Sequence, residues 1–522
     1  MRKALYRKAQ RGKQVSQSYS LPAPVGGWNA RDSAANMSEL DATILVNWFP
    51  DTTDVRVRKG YADHVTGISG QVESLMVYNA PDGTSTMFCA AGGEIYDATS
   101  AGATGAAVVT GQTNDRWQDL NFTISSGASY LCNFNGEDSP QYWNGSAWLT
   151  VTGASSPAIT GITTSTIVSA EVHKRRMWLV VKDSLDAYYL PVDSVGGAAK
   201  SIKLGGIATD GGFIQQIGTW TLDAGEGADD YWVAYTSEGQ VVVYKGTDPS
   251  SSSTWSLHGV WHIAEPIGRR CMMKYNGDIL LLGVSGIIPL SKLIVSASTD
   301  PNVAITEKIN QAMTAASGSY RNNFGWETFL YHQGDMVIMN VPVQEGSDQE
   351  QYAMNTITGA WGRFKGIEAN CWGMLDKEPY FGSNGNVSKF WGNTSDNGAN
   401  ITTDLKQAEN YFNSRGRLKY FKSLRPNISA DGFPAVAAGM NCDFRDTPIS
   451  GNVSFSSVTA GVWDSGLWDT EQWGAGLLLL NDWQTTGCVG TSGALRMTTV
   501  SANLEVRFAA SDHVYEHGGV IG

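Results

Sequence analysis

The chain has 522 residues, 42% of them hydrophobic and 17% charged, with 59 glycines, 18 tryptophans and 20 tyrosines, which is room for two or three folded domains and too apolar for a disordered protein. Its net charge of −13 excludes a general electrostatic grip on nucleic acid, and the lack of a run of about 18 apolar residues excludes a hydropathy-type membrane helix. The glycine and aromatic content favours many short strands joined by tight turns.

Residues 1 to about 20 form a basic arm. Arg2, Lys3, Arg7, Lys8, Arg11 and Lys13 put six positive charges into the first 13 residues without a carboxylate. No apolar core of signal-peptide length interrupts them, so synthesis in a reducing cytoplasm is expected, with exit by lysis or within a particle. Screening limits the arm's reach to about 8–10 Å at ordinary salt. It acts on what it touches, as a solubilising tail or as an arm that orders against an acidic neighbouring subunit or DNA. The stretch "SELDATILVNWFPDTTDVRVRKGY" reads as a short capped turn or helix and then a strand.

From residue 86 onward one unit recurs: an apolar strand, a glycine or Asn/Asp turn, and a second strand rich in aromatic residues. It appears at 86–99, 130–145, 177–192, 230–246, 278–291, 335–355 and 379–393, with starts 44 to 57 residues apart. That is the blade length of a β-propeller, and it is too short for a string of immunoglobulin-like sandwiches of about 100 residues each. The expectation is a mainly β chain whose residues 21–400 form a propeller of six or seven blades. A helical insertion is predicted near 301–325, with the helix around Glu307 to Ala316. Residues 401–522 are expected to form a β-rich, sandwich-like region.

The six cysteines stand singly with no C-x-x-C pair, which predicts free thiols rather than a zinc or redox motif. "TDPSSSSTW" (247–255) lacks the glycine and compact spacing of a sialidase turn and reads as a polar loop capped by a buried tryptophan. His258/His262 and His513/His517 are spaced by four, but neither pair carries the glutamate of H-E-x-x-H. Asp223, Glu226, Asp229 and Asp230 gather carboxylates in a glycine-rich turn, a weak calcium candidate without the EF-hand spacing. No G-x-S-x-G elbow, P-loop or dinucleotide fingerprint is present, so no enzyme and no cofactor is expected. Near the end, "WDSGLWDTEQWG" sets Trp463, Trp468 and Trp473 five apart, a spacing that makes no single stripe on a helix or strand. Such rings would face different partners.

Several phrases carry a resemblance. They are "GGWNARDSAANMSELDATILVNWFPDTTDVRVRKGY", "HKRRMWLVVKDSLDAYYLPV", "VYKGTDP", "PIGRRC", "GIIPLS", "LRPNISADG" and "WDSGLWDTEQW", spread over most of the chain. In these the chain resembles bacteriophage virion proteins, and in length and propeller pattern it is similar to the tail nozzle, or packaged-DNA stabilisation, proteins of short-tailed phages. The resemblance implies six copies in a ring below the portal and adaptor, holding packaged DNA and conducting it at ejection without sequence-specific contacts. It also implies a place in the virion tail. An acidic lumen would repel phosphates, the basic arm would dock on adaptor or portal, and the tryptophans would serve subunit contacts. The alternatives are a receptor- or glycan-binding tail protein and a glycan-degrading tail enzyme.

Overall fold

In a computed structural model, residues 15–223, 228–296, 303–449 and 477–520 are described. The chain divides into two compact units, one of residues 58–401 and a discontinuous one of 1–57 with 402–522.

The 58–401 unit is a succession of small antiparallel sheets. The first holds Ser74–Asn79, Ser85–Ala91 and Glu94–Asp97; the second Gln118–Thr123, Ser129–Phe134, Gln141–Trp143 and Trp148–Thr150. The third holds Ile167–His173, Arg176–Val181, Asp186–Tyr189 and Lys200–Lys203, and the fourth Ile214–Asp223, Ala228–Thr236, Gln240–Gly246 and Trp255–His262. Met272–Tyr275, Asp278–Gly283 and Gly286–Pro289 make the fifth, and Glu327–Tyr331, Met336–Gln344, Asp348–Asn355 and Trp361–Lys365 follow as the sixth-sheet strands. The seventh combines Cys371–Leu375, Glu378–Gly382 and Asn384–Asn393 with Gly60–Gln71 from the start of the unit. Each segment of the recurring sequence pattern is therefore the central hairpin of one sheet.

The first strand of every sheet touches the first strand of the next, and Cys371–Leu375 touches Ser74–Asn79, which closes the circle. Sheets placed radially around an axis in this way are the β-propeller arrangement. The circle is sealed by Gly60–Gln71 pairing antiparallel with Asn384–Asn393, Val65 opposite Val387. Apolar cores lie between neighbouring sheets. Trp178, Tyr189, Ile217, Trp232, Tyr244 and Trp255 fill the space between the third and fourth, and Val65, Leu75, Met87, Cys371 and Val387 that between the seventh and first.

Several hairpins turn on two residues that both have positive φ, the geometry matched to strand twist. Gly92–Gly93 and Asn276–Gly277 are of this kind, but so are Lys174–Arg175 (φ 49° and 60°) and Asp376–Lys377 (φ 51° and 67°). After the fifth sheet, where its neighbours have a fourth strand, the chain forms the helix Leu290–Ser296; the later insertion contains a 3-10 turn, Glu307–Ile309, and the helix Asn310–Tyr320.

The discontinuous unit corrects one boundary. Residues 21–57, expected in the propeller, pack instead with the C-terminal region because they supply strands to its sheets. Gln17–Pro22 pairs along its whole length with Ala510 to Tyr515, Asp41–Val46 with Ile401–Gln407, and Val55–Val57 with Trp48–Pro50 and with Arg507 and Phe508. The long strands Arg417–Ala430 and Val506–Val520 form the centre of one sheet; Ala435–Cys442 and Gly493–Ser501 belong to the other.

A second correction concerns the cysteines. Cys442 and Cys488 are joined as a disulfide, their Cα atoms 6.4 Å apart, because the end of Ala435–Cys442 lies against Gln484–Gly490. Cys89, Cys132, Cys271 and Cys371 are free and buried. Burial pushes the Cys89 thiol up to about 12 and raises the other three as well, which leaves them unreactive as nucleophiles.

Candidate functional site

The propeller axis is where polar side chains of several sheets converge. Among the described residues each first strand forms a ladder on one side, with the second strand of its own sheet, and apart from an isolated bridge between Arg270 and Glu327 its other backbone edge faces the axis and needs partners. Side chains from adjacent sheets supply them. Asn121 donates from Nδ2 to the Val77 carbonyl at 2.6 Å and accepts from the Asn79 N–H at 3.0 Å. Thr219 Oγ1 donates to the Val172 carbonyl at 2.9 Å. Gln216 Oε1 accepts from the Met272 N–H at 2.8 Å, and Glu327 Oε2 from the Trp372 N–H at 3.2 Å.

At the level where the first strands begin, Arg270 spans the ring. Its Nη1 lies 2.9 Å from Glu327 Oε2, while Nη2 donates to the Glu73 carbonyl, Ser74 Oγ and the Trp117 carbonyl at 3.2–3.3 Å. One guanidinium thus ties the fifth sheet to the sixth, to the start of the first and to the start of the second. Burial opposes its charge, but Glu327, Cys371 and Asp119 outweigh that and hold its pKa above the usual arginine value. Burial raises the Glu327 carboxyl, with Arg270 opposing. Asp119 keeps solvent contact although protein surrounds it, as expected of a group lining an axis, and that surrounding raises its carboxyl. Beside Arg270, Arg116 pairs with Glu73 and Glu345, its guanidinium 4.3 Å from the Phe324 ring centre.

Toward the other mouth Lys274 Nζ reaches Glu171 Oε1 at 2.7 Å, crossing from the fifth sheet to the third. A cavity of about 320 Å³ opens there, lined by Thr219, Thr221, Lys274, Tyr275, Leu330 and His332 among others. On the axis, then, Arg270 is engaged with Glu327 and Lys274 with Glu171.

The residues singled out in the sequence are dispersed. Asp230 pairs with Lys174 at 2.7 Å and accepts from Thr221 Oγ1 at 2.8 Å. Burial works to raise its carboxyl, but these bonds prevail and hold it below the usual range. Leu222 and Asp229, and Asp223 and Ala228, are backbone partners in the fourth sheet; Glu226 lies outside the described residues. So do the arm residues Arg2, Lys3, Arg7, Lys8, Arg11 and Lys13, and Trp463, Trp468 and Trp473. Among the described residues no three His, Cys, Asp or Glu side chains gather to hold a metal ion. His262 meets Asp210 at 3.2 Å, and His258 lies against Tyr231 and Trp261. In "TDPSSSSTW", Asp248 caps Ser250 and pairs with Arg176 at 3.3 Å, and Trp255 is buried on Trp178 and Tyr244. Arg270, the most connected group on the axis, was not singled out by spacing, although "PIGRRC" contains it.

Two buried histidines set an acid limit. His173 donates or accepts at Thr219 Oγ1, 3.3 Å away, and packs against Trp255; burial, then Lys174, lowers its pKa from 6.5 to about 4. His513, bonded to Ser511 Oγ in the other unit, is lowered to about 4, again by burial. Below pH 6.5 the unfolded chain takes these protons and the folded chain does not. The stabilisation is complete above 6.5 and is lost as pH falls toward 4, by about 2 kcal/mol per histidine at pH 5. Urea midpoints should fall accordingly between pH 7 and pH 5, and His173→Phe should flatten the propeller's share.

No protein-family model and no curated protein matches the chain. Solved structures similar to it include the N-terminal part of BBS1 in complex with ARL6, at 10% identity and a TM-score of 0.40 over 65% of this chain and 99% of that one. Also similar are the Cps50 (Swd1) β-propeller domain of Myceliophteria thermophila, at 12%, 0.38, 63% and 99%, and YCF48 bound to D1 peptide, at 8%, 0.34, 63% and 94%. These likenesses concern fold alone.

Proposed function

We propose that this chain is a non-enzymatic structural subunit of a short-tailed phage tail, of the nozzle type. Its sheets are read as seven blades, the seventh completed by Gly60–Gln71. Six copies would form a ring below portal and adaptor, retaining packaged DNA and conducting it at ejection. The observation that carries this reading is what the phage-like phrases do in the fold. In "NWFP", Trp48 and Phe49 are fully buried and Asn47 turns with a φ of 59°. In "VRVRKGY", Arg58 is sealed in an ion pair; in "PIGRRC", Arg270 ties the axis. These are joints of a scaffold.

The propeller's own axis is crossed by Arg270 and by the Glu171–Lys274 pair, whereas a duplex has a major groove alone about 12 Å wide. A DNA path would thus run between copies. The basic arm would dock on an acidic adaptor or portal surface, and Trp463, Trp468 and Trp473 would serve subunit contacts.

Native mass spectrometry of the purified protein, alone and with portal and adaptor, tests this. A ring of about six copies, formed alone or on the adaptor, is expected. Removing residues 1–14 should abolish docking and leave the fold intact. A stable monomer or trimer that ignores the portal complex would favour a receptor- or glycan-binding tail protein instead.

A further inference from the structure

In the discontinuous unit the strand Gln484–Gly490 has little of its own to hold it. From Asn481 to Val489 no residue is buried, and Val489 is 57% exposed. A strand without a buried apolar side chain lacks the main source of packing free energy. Its ladder with Arg417–Ala430 sets Cys488 opposite Phe421 and Thr485 opposite Ser423, and the register slips between those two pairs. Thr486 Oγ1 donates to the Phe421 carbonyl at 2.8 Å. Beyond the strand the chain is firmly tied. Asp443 Oδ1 accepts from the N–H and the hydroxyl of Thr491 at 2.7 Å, and Lys419 Nζ donates to the Thr491 carbonyl at 2.7 Å. The weakly held stretch is therefore 484–489.

The Cys442–Cys488 bond joins this stretch to the other sheet. Cys442 closes the strand Ala435–Cys442, which pairs there with Gly493–Ser501. The approach is close, since a Cβ added to Gly490 would lie 2.8 Å from Cys442 Cβ. The Cα separation of 6.4 Å lies within the span of about 4.4–6.8 Å that disulfides bridge. Cys442 is 4% exposed but Cys488 is only partly buried, so a small reagent reaches the pair from the Cys488 side. Cys89, Cys132, Cys271 and Cys371 are fully buried. Thiol exchange in the native protein is thereby confined to one pair.

We propose that Cys442 and Cys488 form a reversible redox staple whose closure seats residues 484–489 on the opposite sheet. The reaction partner is a small-molecule disulfide of the glutathione class. The Cys488 thiolate attacks one of its sulfurs and expels the other as a thiolate. The Cys442 thiolate then attacks the mixed disulfide at Cys488 Sγ and expels the second. The two protons lost by the protein thiols pass through solvent to the two released thiols, and two electrons pass to the oxidant. A small thiol in excess runs the same steps backward, and the exposure of Cys488 places this bond in the labile class of disulfides. With the staple open, 484–489 keeps its ladder alone and falls to the low-stability end of the molecule.

The inference is independent of the nozzle reading, which the mass of the assembly tests. Thiol labelling and hydrogen exchange on the full chain, first in glutathione disulfide and then in dithiothreitol without denaturant, provide the test. In the first buffer Cys442 and Cys488 should resist alkylation and be recovered as a linked pair of peptides. In the second both should be alkylated, while the four buried cysteines stay unlabelled. Reduction should speed exchange across 484–489 by at least about tenfold and leave 435–442, 493–501 and the propeller sheets at their former rates. Combining Cys442→Ser with Cys488→Ser should give the exchange of the reduced protein in both buffers. The proposal is overturned if both cysteines stay open to alkylation in glutathione disulfide, if dithiothreitol opens the bond only with denaturant, or if 484–489 exchanges equally fast in the two states.

Discussion

Arg270→Met should destabilise the propeller by about 3–5 kcal/mol, the usual cost of removing one partner of a buried ion pair, seen as a melting temperature lower by roughly 5–10 °C. The loss comes mainly from what is left behind. Glu327, with 14% of its side chain exposed and its carboxyl already raised by burial, would lose its counter-charge and keep the Trp372 N–H, so it must either stay ionised without a cation or take up a proton. The Glu73 and Trp117 carbonyls and Ser74 Oγ would lose a common donor at the same time. Arg270→Lys should recover only part of the stability, because an ammonium cannot reach three sheets with a planar fork. Adding Glu327→Gln to Arg270→Met should restore part of the loss, since it removes the unpaired charge and keeps an acceptor for Trp372. A loss below 1 kcal/mol in the single variant, or no recovery in the double, would refute this account of the axis.

How much of this was legible in the sequence differs between levels. The central hairpins stood out because both strands bury apolar faces between sheets, so each is a run of apolar and aromatic residues such as "DYWVAYTSEGQVVVYKG". First strands such as Gln118–Thr123 carry Asp119 and Asn121 toward the axis, and so lose the apolar signature of a core strand. The Lys174–Arg175 and Asp376–Lys377 turns were hidden for another reason: neither pair contains the glycine or asparagine that usually marks positive φ. Residues 21–57 could not be placed from local pattern at all. Their partners lie hundreds of residues away, as in Ala42 opposite Gln407, and strand pairing of that range leaves no periodic trace. The Cys442–Cys488 bond was invisible on the same ground, its two strands being brought together only by the sheets that flank them.

The seam of the circle gives the other large effect. Arg58 is fully buried and makes a two-pronged pair with Asp396, at 2.7 Å from Nη1 to Oδ1 and 2.6 Å from Nη2 to Oδ2. It also donates to the Lys59 and Lys365 carbonyls. It stands just before Gly60–Gln71, the strand that seals the ring, and Asp396 just after the Asn384–Asn393 strand it pairs with. Arg58→Met should therefore cost about 3–5 kcal/mol, but unlike Arg270→Met its first consequence should be local. Hydrogen exchange should accelerate across 60–71 and 384–393 while the second to fourth sheets keep their protection. Gly60→Ala should act on the same seam by sterics alone, since an added Cβ would lie 2.0 Å from the Ser395 carbonyl oxygen. If Arg58→Met loosened all sheets equally, the ring would be opening as one cooperative body rather than from its seam. The strand pairing of Gly60–Gln71 would then be the closing element without help from the ion pair.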